Sequence, residues 1–170
     1  MLTRSRAEEI ERRAAELARE HGTSDPELLA ERMGIMLDYA EHPSLLGFCG
    51  IMLDVPFIAL NSRTDDNTLR CACAHELGHY LLHSAIAKEQ ALKEFEIFNM
   101  KNKVEYDANI FAAHLLIDEE EAIALMRNGC DVFRTAMELR VNPNLLNIKL
   151  SELNSMGHRF DTDWGDSRLF

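Results

Sequence analysis

Hydrophobic residues recur at helical spacing near the start of the chain. They form one stripe opposite a charged face, made of Ala7, Ile10, Ala14, Leu17 and Ala18. This spacing predicts an amphipathic helix that ends at Gly22. Asp25 and Pro26 then predict the start of a short second helix, because aspartate caps helices and proline suits their first turn.

Short apolar runs replace the helical pattern in the middle of the chain. They occupy residues 35–39, 49–53 and 57–60, and proline, glycine and aspartate residues separate them. Runs of this length between turn-forming residues indicate β-strands. We therefore expect a small twisted sheet that precedes the second helical part of the chain.

Helical patterns return after residue 64. Capping residues and apolar spacing predict helices over residues 67–84, 104–117, 119–128, 132–140 and 143–156. The core face of the second of these should carry Val104, Ala108, Phe111, Ala112 and Leu115. Residues 86–103 have a mixed pattern, and we expect residues 94–98 to form a mobile connection near the site.

The order of these elements predicts one α+β domain with helices at both ends. A chain of 170 residues suits a single domain. The expected parts are N-terminal helices over 1–34, the sheet and two central helices over 35–117, and C-terminal helices over 118–160. Residues 161–170 form a tail without periodicity.

The charge balance argues against nucleic acid as a direct partner. The chain has 29 acidic and 18 basic residues, for a net charge of −11, whereas nucleic-acid binders present basic faces. Residues 132–156 could form a helix-turn-helix, but they contain only Arg134, Arg140 and Lys149 as cations. We expect these helices to pack on the core instead.

The sequence predicts a cytoplasmic protein without a membrane segment. Residues 1–9 contain no apolar segment of the kind found in signal peptides, and no apolar run could span a bilayer. Four cysteines in such a chain are expected to be reduced thiols.

The strongest chemical signal is the motif His75-Glu76-Leu77-Gly78-His79. Histidines four residues apart lie on one helix face, where two imidazoles can bind one zinc ion. Glu76 would lie beside the metal as a general base, and Gly78 would let a neighbouring backbone approach. The competing interpretation is an ordinary pair of core or surface histidines.

A catalytic zinc site needs a third protein ligand and an open position. The metzincin pattern is excluded, because Leu82 and Ala85 stand where that class has glycine and histidine. Glu105 on the following helix is the predicted ligand, with Asp107 and His114 as alternatives.

Four further residues near the motif have predicted roles outside the ligand set. Asn109 shares the face of Glu105 and would hydrogen-bond a ligand imidazole. Asp107 lies on another face and is expected to be solvated. Cys71 and His83 lie in the same helical row as the motif histidines. We expect a buried thiol and a hydrogen-bonded histidine rather than a fourth ligand.

Two segments of the chain resemble the ImmA/IrrE metallopeptidases. They are residues 73–83, with sequence CAHELGHYLLH, and residues 105–117, with sequence EYDANIFAAHLLI. The similarity extends over about residues 25–120. It implies a zincin-like fold with one zinc per chain, His75, His79 and Glu105 as ligands, and Glu76 as the catalytic glutamate. Many zincins have aspartate where this chain has Asn109, so this position would orient an imidazole without adding charge.

The resemblance also implies an activity and a substrate class. The activity is site-specific endopeptidase cleavage, and the substrate is a helix-turn-helix repressor of a phage or mobile element. We expect the substrate to lie extended along the strand of Phe57, Ile58, Ala59 and Leu60. The alternative is a non-catalytic regulator in which zinc only stabilises the fold and the protein binds a transcription factor.

Overall fold

A computed structural model describes residues 4–83, 92–94 and 103–162 of the chain. Its helices are α1 (Arg4–His21), α2 (Pro26–Arg32), α3 (Asp66–Leu82), α4 (Lys103–Leu116), α5 (Glu119–Arg127), α6 (Val132–Glu138) and α7 (Pro143–Ser155). Its strands are β1 (Met36–Ala40), β2 (Gly47–Met52), β3 (Val55–Asn61) and β4 (Leu92–Glu94). The predicted α+β class is confirmed, and the predicted connection at 94–98 lies outside the described residues except for Glu94.

Short polar side chains define where most of these helices begin. At each of five helices the N-cap side chain accepts a hydrogen bond from a backbone N–H of the first turn, and these caps are Asp25, Asp65, Asp118, Asp131 and Asn142. Such caps satisfy N–H groups that have no partner within the helix. They explain why the observed helix starts agree with the starts predicted from sequence.

The strands form one mixed sheet in the order β1-β3-β2-β4. Strand β3 pairs in parallel with β1 and antiparallel with β2, and β2 pairs antiparallel with β4. Strand β3 is therefore central, and the expectation that a substrate pairs with the edge of Phe57, Ile58, Ala59 and Leu60 is wrong. Its backbone groups already bond to neighbours on both sides.

A tight turn joins β2 to β3. Both of its central residues have positive φ, 50° for Leu53 and 63° for Asp54. This is the signature of a type I′ hairpin turn, whose twist matches that of the flanking strands. The Leu53 side chain is 91% exposed.

Helix α3 lies between the sheet and α4. Every residue from Cys71 to His79 is buried, so this stretch is enclosed on all sides. Cys49, Ile58 and Leu60 on the inner face of the sheet are buried against it. Helices α3 and α4 pack together and thus bring His75 and His79 next to the segment that begins at Glu105.

The C-terminal helices belong to the same core. Helix α7 packs on α4 and α6 and buries Leu145, Leu146, Leu150 and Leu153. This agrees with the prediction that residues 132–156 pack on the core. Among the described residues, no helix is both long and apolar enough to cross a membrane.

Candidate metal centre

Two turns of α3 carry the motif histidines. The spacing of four residues places both imidazoles on the helix face toward α4, where both side chains are fully buried. Their rings are edge to face, with centroids 4.6 Å apart. Glu105 in the first turn of α4 completes the group, as its side chain reaches back to both rings.

Three donor atoms converge at this point. The Nε2 atoms of His75 and His79 are 2.9 Å apart, and the Glu105 Oε2 atom lies 3.4 Å from the former and 3.2 Å from the latter. Donors bound tetrahedrally to one zinc ion at about 2.0–2.2 Å are roughly 3.3 Å apart. The donor set therefore fits a zinc ion. Within the described part of the chain, no other group of three histidine, cysteine or acidic residues has this arrangement.

The electrostatics of the triad also favour a cation. Burial lowers the pKa of His79, although a hydrogen bond with Glu105 opposes that shift. A neutral imidazole presents a lone pair to its neighbours, and metal ligands need that form. Two nitrogen lone pairs and a carboxylate at these distances repel one another unless a positive charge lies between them.

Asn109 lies one turn beyond Glu105 on the same face of α4. Its Oδ1 atom is 3.0 Å from His75 Nδ1, and both side chains are fully buried. With Nδ1–H donating to this amide oxygen, the His75 Nε2 atom is left unprotonated toward the centre. The contact is the one expected from the sequence, and the role of Asn109 in metal binding stays a prediction.

Glu76 is fully buried between α3 and strand β2. A Cβ atom placed on Gly47 would lie 3.3 Å from the Glu76 Cγ atom, so only glycine leaves this carboxylate its ordinary space. Burial raises the pKa of the Cys49 thiol, and the charge of Glu76 and a hydrogen bond with it raise that pKa further. The sequence analysis missed Cys49, although alternation along β2 places it on the inner face of the sheet.

At Gly78 the two central helices approach each other closely. A Cβ atom at this position would lie 3.1 Å from both the Cα and the carbonyl oxygen of Ala108, and 3.2 Å from the Cβ of Phe111. The prediction that this glycine admits a neighbouring backbone is confirmed. The close approach holds α4, and with it Glu105, against the histidine helix.

Asp107 is not solvated as predicted from the sequence. It is only 2% exposed, and its Oδ2 atom accepts a hydrogen bond from Arg6 Nε at 3.0 Å and forms an ion pair with Arg6 Nη2 at 2.9 Å. His83 Nε2 lies 3.7 Å from the same oxygen. The prediction was wrong because the spacing along α4 gives no sign of Arg6, which comes from α1 and pairs with the buried carboxylate.

The remaining candidate ligands lie outside the donor triad. His114 instead has its Nε2 atom 2.9 Å from Glu152 and its Nδ1 atom 3.2 Å from the ammonium of Lys149. Cys71 is buried, and burial raises its pKa to about 11, so the thiol stays protonated. Of the three residues predicted as possible third ligands, Glu105 is the one that lies with His75 and His79, and its role as a ligand stays a prediction.

Comparison with known proteins gives a family and two relatives. The family model of the IrrE N-terminal-like domain, peptidase family M78, matches residues 30–151. One relative is "Uncharacterized immunity region protein 2" of Bacillus phage phi105, 32% identical over 104 residues, or 61% of this chain and 65% of that protein. The other is "Metallopeptidase ImmA" of Bacillus subtilis (strain 168), 31% identical over 93 residues, or 51% of each chain. The matches therefore span between half and two thirds of these relatives.

Proposed function

The chain belongs to the family of the IrrE N-terminal-like domain, and on that premise we propose that it is a zinc-dependent endopeptidase. His75, His79 and Glu105 hold one zinc ion per chain, and Glu76 is the general base. The observation that carries the proposal is the convergence of three donor atoms within 2.9–3.4 Å of one another. A fully buried carboxylate directly follows the first of them in sequence.

The chemistry divides between the metal and this chain's own residues. A zinc ion held by His75, His79 and Glu105 would supply Lewis acidity for the scissile carbonyl and would lower the pKa of water toward ~7. The Glu76 carboxylate takes a proton from the attacking water and delivers it to the leaving amine. Gly47 and Cys49 hold that carboxylate in place from strand β2, and Asn109 fixes the ring of His75.

The substrate we propose is a helix-turn-helix repressor of a phage or mobile element. Support comes from the sequence resemblance and from the name of the phage relative, an immunity region protein. A protein partner also suits a chain with net charge −11 better than nucleic acid does. Such a repressor acts on DNA, so we place the enzyme in the cytoplasm beside it.

The test uses two variants that separate metal binding from proton transfer. Glu76→Gln is nearly isosteric and lies outside the donor triad, so zinc content and thermal stability should change little. Cleavage of a co-expressed helix-turn-helix repressor should fall by about 10²–10⁴-fold, because an amide cannot accept the proton. His79→Ala should instead lose zinc and activity together. The matched control is Glu120→Gln, which removes one exposed carboxylate from α5.

Two results would reject the proposal. Unchanged zinc content in His79→Ala, measured by elemental analysis, would reject the metal centre. Full biological activity in a zinc-loaded Glu76→Gln protein would reject catalysis and leave the non-catalytic regulator that binds a transcription factor.

A further inference from the structure

Helix α1 lies before residue 30, where the match to the family model begins. Its first turn nevertheless contacts α4, the helix that carries Glu105. Arg6 of α1 pairs with Asp107 of α4, 101 residues away in sequence. We propose that Arg6 and Asp107 are positioning residues that hold Glu105 in place for the metal. This inference rests on the proposed role of Glu105 as a ligand.

Glu105 is the ligand that most needs such support. It lies in the first turn of α4, and the first turn of a helix lacks the backbone hydrogen bonds that its interior has. Its side chain is 16% exposed, whereas those of His75 and His79 are fully buried. A ligand in this position depends on whatever holds the start of α4 to the rest of the protein.

Asp107, two residues after Glu105, attaches the start of α4 to the rest of the protein. Its side chain is buried, and its Oδ2 atom accepts a hydrogen bond from Arg6 Nε at 3.0 Å and lies 2.9 Å from Arg6 Nη2 in an ion pair. A charge-assisted hydrogen bond and a second close contact from the same planar guanidinium restrict where the carboxylate can lie. The pair thus ties the beginning of α4 to α1, which packs along the same helix.

The same oxygen of Asp107 also faces α3. His83, at the C-terminal end of α3, has its Nε2 atom 3.7 Å away, and its ring is 5.5 Å from that of His79 between centroids. Asp107 therefore lies where α1, α3 and the first turn of α4 meet. If Arg6 is removed, the buried carboxylate loses its cation and must turn toward water. The first turn of α4 then moves, and Glu105 moves with it.

Zinc affinity reports this movement without any peptidase assay. The dissociation constant for zinc binding to the 170-residue chain is measured by competition with a chromophoric zinc chelator. Arg6→Ala should weaken zinc binding by about 10–100-fold, the usual effect of losing a group that orients a metal ligand. Arg6→Lys keeps the positive charge but lacks the planar guanidinium, so it should recover part of the lost zinc affinity. Asp107→Asn should behave like Arg6→Ala.

The matched control lies on the same helix. Arg12 pairs with Glu16 one turn away, and its side chain is 64% exposed. Arg12→Ala removes a cation and an ion pair from α1, so zinc affinity should equal that of the wild type. A loss in both arginine variants would show that α1 acts through general stability, and the proposal would be wrong.

A double-mutant cycle separates positioning from any independent effect. Glu105→Gln weakens zinc binding by itself, and in that background Arg6 has no anionic ligand left to position. Arg6→Ala added to Glu105→Gln should therefore cause little further loss. A double variant that shows the full product of both single losses would overturn the inference, as would wild-type affinity in Arg6→Ala.

The outcomes also distinguish this inference from the proposed function. A wild-type protein that binds zinc and cleaves the repressor, with no dependence of affinity on Arg6, rejects the inference alone. A protein whose zinc affinity depends on Arg6 but that cleaves nothing rejects the peptidase and leaves the positioning role. A wild-type protein that binds no zinc rejects both.

Discussion

Replacing Gly78 by alanine tests whether the contact between the two central helices sets the metal site. The added Cβ atom would lie 3.1 Å from the Cα and carbonyl oxygen of Ala108 and 3.2 Å from the Cβ of Phe111. Carbon atoms in ordinary contact are about 3.5–4.0 Å apart. Two of the three neighbours are backbone atoms, so no side-chain rotation relieves the overlap. Helix α4 must therefore move away from α3 by a few tenths of an ångström.

Two opposing contributions set the change in stability. Alanine inside a helix is more favourable than glycine by about 1 kcal/mol. Overpacking a close contact typically destabilises a protein by about 1–3 kcal/mol. The expected result for Gly78→Ala is a net loss of about 0–2 kcal/mol in the free energy of unfolding. For a chain of this size, each kcal/mol lowers the melting temperature by roughly 2–4 °C.

The effect on zinc should be clearer than the effect on stability. Glu105 lies one turn before Ala108 on α4, so the displaced helix carries this donor away from both histidines. Metal–ligand distances in well-formed sites agree with their ideal values to within about 0.2 Å, so this displacement should weaken zinc binding. Urea denaturation of the zinc-free protein and chelator competition with zinc measure the two effects separately. A variant that gains about 1 kcal/mol and keeps wild-type zinc affinity would refute the argument from close packing.

Two other substitutions test neighbouring features. Gly47→Ala adds a Cβ atom 3.2 Å from the Ala59 carbonyl oxygen and 3.3 Å from the Glu76 Cγ atom. Cleavage should fall while zinc content stays at the wild-type level, and equal cleavage rates would contradict the role of this glycine. Hydrogen bonds from the side chain and backbone of Thr68 lower the pKa of Asp65, the N-cap of α3. Its charge therefore stabilises the fold above its unfolded pKa of about 3.9 and ceases to do so as pH falls through the lower folded value. Asp65→Asn keeps a capping oxygen, so denaturation should show a wild-type advantage at pH 7 that disappears in strong acid; an advantage independent of pH would contradict the charge effect.

The local patterns in the sequence predicted most of the elements that carry the site. Aspartate caps and apolar spacing placed the third helix at residues 67–84, and the structure has it at Asp66–Leu82. Residues four apart on a helix share a face whatever surrounds them. For this reason the juxtaposition of His75 with His79, and of Glu105 with Asn109, followed from spacing alone.

The position of β3 in the sheet did not follow from the same patterns. An apolar run predicts a strand but does not state which strands pair with it. The available signal was the unbroken run Phe57-Ile58-Ala59-Leu60, which is more typical of a central strand than of an edge strand with alternating polarity. The three-residue strand β4 carries too little sequence to predict.

Long-range ion pairs were beyond any local pattern. Asp107 sits among buried positions of α4, and its partner Arg6 comes from the first turn of a helix 101 residues earlier. Nothing in the spacing around either residue indicates the other. A charged residue at a position that packing must bury is a reason to look for a distant partner.

The hairpin turn at Leu53 and Asp54 offers an attachment point for engineering. Exposed turn tips tolerate insertions, because added residues displace no packed backbone. Leu53 projects into solvent, while Gly47 lies at the other end of β2 against Glu76. The five residue-to-residue steps along β2 from Gly47 to Met52 keep the turn about 17 Å from that contact. An affinity tag or fluorophore inserted between Leu53 and Asp54 would immobilise or label the molecule without touching the proposed metal centre.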